Sequence, residues 1–268
     1  MGEKQLEAPG VAASSKGSDG RTPPPAADIP VLYKRPRALD AELDGRAGFQ
    51  RIASFAFAQA AASVPLTIDE YAQAQAHYPI VFTTSEPAMS VAVLGLAPGE
   101  NLFVAADGSW RRGAYVPAYV RRYPFIFQLR PSPEGDQLVL CIDEASGAYL
   151  AEGGEAFFRA GQPSALTQRA LQFCTTYQAR YEETRQFVDA LAERALLVEN
   201  RADLALPSGR RTSLGGFRVV DEKRFGELPD ELFIAWRRRG WLALIYAHLL
   251  SLMRLGALAD LAATEVPT

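Results

Sequence analysis

The sequence predicts an α+β fold, in which an antiparallel β-rich sheet or small barrel is packed by a long amphipathic helix and a C-terminal helical unit. Residues 77–142 contain closely spaced strand signals separated by turn residues, whereas residues 164–195 carry apolar side chains at helical spacing. Residues 228–255 add helix-start chemistry followed by an apolar segment. Strands are therefore expected before residue 142 and helices mainly after it.

Composition and charge restrict the classes of protein to which the chain can belong. With 268 residues, of which 48% are hydrophobic and 22% charged, the chain can bury a substantial core. Its formal net charge of -3 argues against nonspecific binding to nucleic acid, which requires a basic surface. Cys141 and Cys174 are the only cysteines in the sequence, and we expect both to be free and buried.

The chain divides into three regions by composition. Residues 1–29 are rich in Gly, Ala, Ser and Pro, which predicts a disordered tail. Residues 30–255 form the predicted globular domain, with a β-rich part at about 77–142 and a helical part at about 164–255, and residues 256–268 are expected to fray. We find no apolar run of signal-peptide length or of the ~18 to 20 residues of a membrane span. The default expectation is a cytoplasmic protein without a transmembrane segment.

The first elements are a short helix and a series of strands. Thr67 and Glu70 have the spacing of a capping box, which predicts a helix that continues to Ala76. The strand signals that follow are separated by Gly, Pro, Asp and Ser residues at intervals of about 10 to 13 residues, which suits an antiparallel sheet. The predicted strands are Ile80–Phe82, Ser90–Leu94, Asn101–Val104, Tyr115–Tyr119, Phe125–Leu129 and Gln137–Ile142.

One long amphipathic helix is predicted at about 164–195. Its apolar face is formed by side chains at steps of three and four residues, namely Leu171, Cys174, Tyr177, Tyr181, Thr184, Val188 and Leu191. A hairpin is predicted after it at 202–206 and 212–220, where Gly215 and Gly216 indicate a bulge or a close backbone approach.

The last part of the chain predicts two more helices. Pro229 and the acids after it begin one helix, which ends at Gly240. The segment from Trp241 to Leu255 is apolar nearly all round and is therefore predicted to be a core helix. We expect it to bury both Tyr246 and His248.

Paired arginines among tyrosines form the preferred candidate binding site. Arg121 and Arg122 lie among Tyr115, Tyr119 and Tyr123, and this combination can stack on and neutralise an anionic ligand such as a sugar acid, a phosphate or a carboxylate. Ion pairs with the acids of the protein explain the same arginines. In a regular strand the two arginines face opposite sides, so one is expected to serve the fold and the other the surface.

A second group of residues offers an alternative, catalytic site. Cys141, Asp143 and Glu144 place a thiol and two acids at a predicted strand end, where they could hold a nucleophile or a cation. A buried cysteine followed by two solvated acids is the favoured interpretation of these residues. A cysteine nucleophile needs a base, and His248 is the candidate, although a core histidine explains it too. With two histidines in the sequence, a three-histidine zinc site is impossible, and we expect no cofactor.

Several stretches of the chain match one known family. They cover roughly residues 30–255 and are His77–Phe82, Val93–Leu96 with Gly99–Val104, Tyr115–Phe125, Leu140–Glu144, Leu214–Phe217 with Val220–Asp221, and Leu244–Ser251. On these stretches the chain resembles the SapC family of bacterial proteins, which is distinct from the similarly named permease of peptide transport. The resemblance implies an association with bacterial surface layers. It also implies an accessory role in a surface or uptake system, because family members are encoded beside outer-membrane receptors and flavin- or iron-dependent enzymes.

The function favoured by these observations is that of a non-catalytic binding or accessory protein of a bacterial surface-layer or outer-membrane uptake system. Its expected partner is another protein or an anionic small ligand, bound at the tyrosine–arginine cluster defined above. The competing hypothesis is an enzyme with a novel site, with or without a metal ion, built from His248, Cys141, Asp143 and Glu144.

Overall fold

A computed structural model describes residues 30–130, 135, 137–207, 209 and 211–264. Its helices and strands in chain order are β1 (Pro36–Ala38), β2 (Gly48–Phe49), β3 (Ser63–Pro65), α1 (Tyr71–Ala74), β4 (Ile80–Thr83), β5 (Ser90–Val93), α2 (Ala118–Arg122), β6 (Phe125–Arg130), β7 (Gln137–Asp143), β8 (Tyr149–Leu150), β9 (Glu155–Ala156), β10 (Phe158–Arg159), β11 (Gln162–Pro163), α3 (Ala165–Glu193), β12 (Leu197–Ala205), β13 (Arg211–Val220), α4 (Glu222–Gly226), α5 (Asp230–Arg238), α6 (Trp241–Ser251) and α7 (Arg254–Thr264). Antiparallel sheets combined with helices confirm the predicted α+β class.

The chain forms two compact units, each assembled from two separate stretches. The first unit comprises Met1–Ala53 and Arg122–Tyr177, and the second comprises Ser54–Arg121 and Gln178–Thr268. Two of the boundaries fall inside the helices α2 and α3. The units therefore do not follow the sequence blocks 77–142 and 164–255. The predicted tail at residues 1–29 lies outside the described residues.

The first unit is built around β7, which pairs with β1 on one side and β6 on the other. Arg37 pairs with Ile142 in the first of these ladders, and Ile126 pairs with Cys141 in the second. Smaller sheets of β8, β2 and β9 and of β10 and β11 complete the unit. Its core contains Leu39, Phe125, Leu140, Ile142, Phe157, Phe158, Leu166 and Cys174.

The second unit contains a five-stranded antiparallel sheet in the order β12, β13, β4, β5, β3. In its centre Val81 pairs with Val91, and Phe82 pairs with Arg218. Buried aromatic side chains connect α1, α3 and α6: the ring of Phe187 lies 6.2 Å from that of Tyr71 and 5.7 Å from that of Trp241. The largest fully buried side chains of this unit are Leu66, Tyr71, Tyr78, Ile80, Phe82, Leu94, Leu102, Phe187, Leu191 and Leu196.

Most elements with a strong periodic signal form where the sequence predicted them. Four of the six predicted strands are β4, β5, β6 and β7, the long helix is α3, and the hairpin is β12 with β13. The hairpin ladder skips one residue of β12, Arg201, and two of β13, Gly215 and Gly216. Gly216 has φ +77°, so the predicted bulge is confirmed at the glycine pair.

Two predicted strands are wrong. Asn101–Val104 forms turns with a single bridge between Val104 and Trp110. Tyr115–Tyr119 leads into the helix α2, because Pro117 precedes its first turn and its carbonyl accepts from the backbone N–H groups of Val120 and Arg121. Proline suits this position because it lacks the N–H that the first turn of a helix leaves unpaired.

The C-terminal helical segment differs from the single core helix that was predicted. It breaks at residues 252–253 into α6 and α7, and α7 remains helical to Thr264 with Leu258 and Ala259 buried. The described part of the stretch expected to fray is therefore helical. His248 is buried as predicted, whereas Tyr246 is 49% exposed.

One stretch of the described chain has the length and apolar composition of a membrane span. This stretch is Trp241–Ala263, and 33% of its apolar 18-residue window is buried. The expectation that no segment reaches this length is therefore wrong. Arg254 lies within this stretch, and a span of this length tolerates one or two charges. A helix of a protein core satisfies the same criteria of length and composition.

Candidate functional site

A surface groove with a volume of about 570 Å³ lies beside α1 and α2 in the second unit. It contains two of the five residues of the predicted binding site, Tyr115 and Arg121. The other lining residues are Asp69, Glu70, Gln73, Ala114 and Val116. The groove therefore combines one cation, two carboxylates and an aromatic ring.

Glu70 forms the anchored floor of this groove. Glu70 is 3% exposed, and its Oε2 accepts from the backbone N–H of Thr67 at 3.0 Å. The Thr67 hydroxyl lies 2.7 Å from this Oε2 and 2.7 Å from Oδ1 of Asp69, so the two carboxylates share its single proton. Oε1 accepts from the hydroxyl of Tyr115 at 3.0 Å and from the backbone N–H of Ala118 at 2.6 Å. These four bonds satisfy a buried charge that would otherwise be costly. The capping box predicted from the sequence thus also holds Tyr115 and the start of α2.

Arg121 lies along the mouth of the groove. Its guanidinium carbon is 5.7 Å from the centroid of the Tyr115 ring, and its Nη2 donates to the Tyr115 hydroxyl at 3.1 Å. Nε donates to the carbonyl of Val116 at 3.0 Å. The side chain is exposed, so an exposed cation is held in a defined orientation next to an aromatic face.

The protonation state of Tyr115 follows from its surroundings. Burial, followed by the charge of Glu70, raises the pKa of Tyr115 to about 12, although Arg121 acts in the opposite direction. The phenol is therefore neutral at physiological pH. It donates its proton to Glu70 and accepts from Arg121, which leaves the orientation of this pair fixed.

The remaining residues of the predicted binding site do not line the groove. Tyr119 is buried, and Arg122, counted with the first unit, is 8% exposed. The guanidinium of Arg122 lies 4.3 Å from the ring centroid of Tyr177, and its Nε donates to the hydroxyl of Tyr33 at 3.3 Å. The hydroxyl of Tyr123 donates to Asp143 at 3.1 Å. These contacts belong to the interior of the first unit.

One of the two arginines is buried and the other is exposed, as predicted, but the predicted reason, a regular strand, is wrong. Arg121 is exposed and Arg122 is buried. They lie on the helix α2 rather than on a strand. Successive residues on a helix are about 100° apart, so neighbours there can also differ in burial.

Asp69, Glu70 and Gln73 are site residues that the sequence analysis did not assign to the site. The spacing of Thr67 and Glu70 predicts only a helix start. Glu70 and Tyr115 lie 45 positions apart, and no spacing rule connects them. The sequence signal for Glu70 was its place in a capping box before a buried helix. A carboxylate at such a position can also accept hydrogen bonds from donors elsewhere in the fold.

The alternative site contains residues that are committed to structural contacts in the first unit. The thiol of Cys141 is 3.3 Å from Oε1 of Gln128, and burial raises the pKa of this thiol to about 12. Asp143 is fully buried and accepts from the backbone N–H groups of Lys34 and Arg35 at 3.1 and 2.8 Å. A thiol with a raised pKa is a poor nucleophile at neutral pH.

Glu144 also has a structural partner. It forms an ion pair with Arg35 at 3.2 Å and a second one with Arg37. Its side chain is 25% exposed. The expectation that both acids after Cys141 are solvated is therefore wrong, because Asp143 is buried and Glu144 is paired.

His248, the candidate base, belongs to the second unit. It is fully buried, its Nε2 accepts from the backbone N–H of Val220 at 3.0 Å, and its Nδ1 is 2.7 Å from the carbonyl oxygen of Ile80. Burial lowers its pKa to about 4. Both ring nitrogens are thus occupied by backbone groups. Within the described residues, no group of three or more His, Cys, Asp or Glu side chains is placed to hold a metal ion.

A second cavity, of about 410 Å³, lies between α3, α5 and α6. Its floor contains Trp236 and Trp241, which are nearly buried, and the guanidinium of Arg239 covers the Trp241 ring at 4.7 Å from its centroid. Arg239 thus lies on an aromatic ring as Arg121 does, and the exposed Glu193 and Arg194 also line this cavity. The groove at Arg121 is the better candidate because it contains two residues of the predicted binding site and the buried carboxylate of Glu70.

Comparison with known proteins places the chain in one family. The SapC family model matches residues 39–258, which include the groove and every residue of both candidate sites. The chain belongs to the SapC family. No curated protein and no solved structure matches it in the same comparisons. The matched stretches of this SapC-family chain include α2, so the resemblance noted at Tyr115–Phe125 corresponds to the element that carries Arg121.

Proposed function

We propose that this SapC-family protein is a non-catalytic binding protein whose ligand site is the groove beside α2. The observation that carries the proposal is the exposed Arg121 held over the ring of Tyr115, above the buried carboxylate of Glu70. Its ligand is a small hydroxylated carboxylate, of which sugar acids are the main class. The accessory role in a surface-layer or outer-membrane uptake system, which the family resemblance implies, is part of the same proposal.

The charges and shapes around the groove support this choice of ligand. A guanidinium binds a carboxylate with two parallel hydrogen bonds when geometry permits. The ring of Tyr115 lines the groove beside Arg121 and supplies apolar surface for the carbon skeleton of a ligand. Asp69 and Gln73 are exposed at the same groove and suit the hydroxyl groups of a sugar.

The proposed site is non-catalytic because its ionisable groups are engaged in contacts within the protein. The carboxylate of Glu70 accepts four hydrogen bonds within the protein. Tyr115 stays protonated because burial and the charge of Glu70 raise its pKa to about 12. Neither group is therefore placed to exchange a proton with a ligand at neutral pH, whereas both fix the position of Arg121.

The ligand class is tested by calorimetric titration of the purified full chain with three compounds. Galacturonate carries both the carboxylate and the hydroxyl groups, galactose carries the hydroxyl groups alone, and acetate carries the carboxylate alone. We expect galacturonate to bind at least about tenfold more tightly than either control, a difference of about 1.4 kcal/mol. Equal binding of galactose and galacturonate would contradict the role of Arg121.

The accessory role has a separate test. Native protein in fractionated cells of the producing bacterium is expected to be recovered with the envelope fraction. Fractionation is done at the salt concentration of the cell. Recovery wholly in the soluble fraction would refute the accessory role, and it would not affect the proposal for the ligand site.

A further inference from the structure

The cavity between α3, α5 and α6 is bordered by one face of α3 and one face of α5. The lining residues of each helix follow one another at steps of three and four, or directly, as residues on one helical face do. Ala190 of α3 and Ala235 of α5 belong to these two faces. Because their side chains are small, a space of about 410 Å³ remains between the helices. All residues that line it belong to the second unit.

Charges of both signs line this cavity without neutralising one another. Asp189 and Glu193 lie one helical turn apart on α3. Arg194 follows the end of α3, and Arg239 follows the end of α5. Among the described residues, Glu193, Arg194 and Arg239 form no ion pair, and the single ion pair of Asp189, with Arg185, is 4.0 Å long. The cavity therefore keeps two carboxylates and two guanidinium groups apart.

Aromatic rings supply the floor of the cavity. The ring of Trp241 lies 5.7 Å from that of Trp236 and 5.7 Å from that of Phe187, and both pairs are arranged edge to face. The guanidinium of Arg239 is held 4.7 Å from the centroid of the Trp241 ring, although Arg239 itself is exposed. An aromatic ring that enters the cavity would extend this series of edge-to-face contacts.

We propose that this cavity is a second ligand site, which takes a free α-amino acid with an aromatic side chain. Arg194 and Arg239 bind the carboxylate of the ligand. Asp189 and Glu193 bind its ammonium group, and Trp236 contacts its ring. This site is separate from the groove beside α2, and neither site depends on the other.

The balance of charge around the cavity selects a zwitterion. The two guanidinium groups attract a simple anion, but the two carboxylates repel it, and the reverse holds for a simple cation. A free amino acid carries both charges and is attracted by both pairs. A segment within a peptide chain carries neither charge. The volume of about 410 Å³ is also near the lower end of the ~300 to 1,000 Å³ that ligand sites occupy, which suits a small molecule.

The charge requirement is tested by calorimetric titration of the purified full chain with L-phenylalanine and two analogues. The analogue 3-phenylpropanoate lacks the ammonium group, and 2-phenylethylamine lacks the carboxylate. We expect phenylalanine to bind at least about tenfold more tightly than either analogue, a difference of about 1.4 kcal/mol. Failure of phenylalanine to bind overturns the proposal, and so does equal affinity for either analogue.

Two charge variants separate the partners of the two ligand groups. In Glu193→Gln, the advantage of phenylalanine over 3-phenylpropanoate is expected to shrink severalfold, whereas its advantage over 2-phenylethylamine persists. Arg194→Gln is expected to show the opposite pattern. Both residues are exposed, so both variants are expected to fold like the native protein. Unchanged advantages in both variants overturn the proposal.

A third variant fills the cavity. Ala235→Leu is expected to weaken phenylalanine binding at least about tenfold. Ala192→Leu is the matched control, because Ala192 is exposed on α3 and does not line the cavity, and it should bind like the native protein. Equal affinities of these two variants overturn the proposal. If Ala235→Leu fails to fold, the two charge variants still decide the outcome.

The groove beside α2 is tested separately from this site. Arg121→Gln should bind phenylalanine like the native protein, and Ala235→Leu should bind galacturonate like the native protein, because each residue lines only one of the two sites. A loss of phenylalanine binding in Arg121→Gln would place phenylalanine in the groove beside α2 and overturn the second site. Failure of galacturonate to bind, with phenylalanine binding intact, would contradict the proposed function alone.

Discussion

The imidazole Nδ1 of His248 lies 2.7 Å from the carbonyl oxygen of Ile80, 168 positions away in the sequence. Because the backbone N–H of Val220 donates to Nε2 at 3.0 Å, Nε2 is unprotonated and Nδ1 carries the proton that Ile80 accepts. The N–H of Ile80 donates to the hydroxyl of Ser251 at 2.9 Å. One turn of α6 therefore binds both polar groups of Ile80 in β4 and one group of β13.

This arrangement predicts a loss of stability in mild acid. Burial lowers the pKa of His248 from 6.5 to about 4, so the folded chain binds a proton less readily than the unfolded chain between these values. Stability from this residue is fully present above pH 6.5 and is lost as the pH falls towards 4. The loss is on the order of 3 kcal/mol in the free energy of unfolding. Denaturant titrations across this pH range measure it.

The His248→Gln variant is the control, because it removes the titrating ring. We expect its free energy of unfolding to fall less steeply between pH 6.5 and 4 than that of the native protein. His248→Ala should cost ~1 to 3 kcal/mol at neutral pH, because it leaves buried partners unpaired. Equal slopes for the native chain and His248→Gln would contradict the assigned role.

A buried ion pair in the first unit gives the second prediction. Arg37 binds Asp44 with two hydrogen bonds of 2.6 and 3.1 Å, and Asp44 is 1% exposed. Arg37→Met alone should cost about 3 to 5 kcal/mol in the free energy of unfolding, because it leaves the buried carboxylate of Asp44 without its cation. Asp44→Asn should cost less, because Arg37 keeps its ion pair with Glu144. The double variant should cost less than the sum of the two.

The matched control for that pair is exposed. Arg169 and Glu155 lie 3.1 Å apart with side chains 66% and 51% exposed. Their double-mutant cycle should give a coupling energy of at most about 1 kcal/mol. If the two cycles give the same coupling energy, burial does not set the strength of the Arg37 contact.

The third prediction concerns the floor of the groove. Glu70→Gln replaces a carboxylate that accepts four hydrogen bonds with a group that accepts at one end only, so we expect a loss of about 2 to 3 kcal/mol in the free energy of unfolding. Asp69→Asn, at the adjacent exposed position, keeps an Oδ1 that can accept from the Thr67 hydroxyl and should change stability by at most about 0.5 kcal/mol. Thermal or denaturant unfolding of the two variants compares them, and equal effects would show that Glu70 is not the anchor.

The fourth prediction concerns the thiols. Burial raises the pKa of both Cys141 and Cys174 to about 12, so neither should react with a thiol reagent in the folded protein at neutral pH. Labelling should follow the rate of unfolding and become complete in denaturant. Rapid stoichiometric labelling of Cys141 in native buffer would revive its catalytic hypothesis.

Elements whose side chains repeat with a strong local period could be predicted from the sequence. The helix α3 and the strands β4 to β7 each present a regular apolar pattern, and the pair Gly215–Gly216 identifies its own bulge. The helix α2 was missed because its short segment is rich in β-branched and aromatic residues, which favour strands. Its helical start depends on Pro117 and on a cap from Glu70, and the latter is a tertiary contact.

The candidate site was only half predictable for a related reason. Tyr115 and Arg121 lie six positions apart and attracted attention as a local cluster, whereas Asp69, Glu70 and Gln73 reach the groove through the fold. The acids of the alternative site are engaged by other residues of the protein, and the local sequence does not show these partners. Asp143 and Glu144 are satisfied by residues more than 100 positions earlier.

The most direct test of the proposed function compares galacturonate binding by the native protein, Arg121→Gln and Arg112→Gln. Both substitutions remove one exposed positive charge, but only Arg121 lines the groove. We expect Arg121→Gln to weaken binding at least about tenfold at low salt, and the difference from the native protein to shrink as salt screens the exposed charge. Arg112→Gln should bind like the native protein. Equal affinities for all three proteins at low salt would contradict the proposal that the groove beside Arg121 is the ligand site.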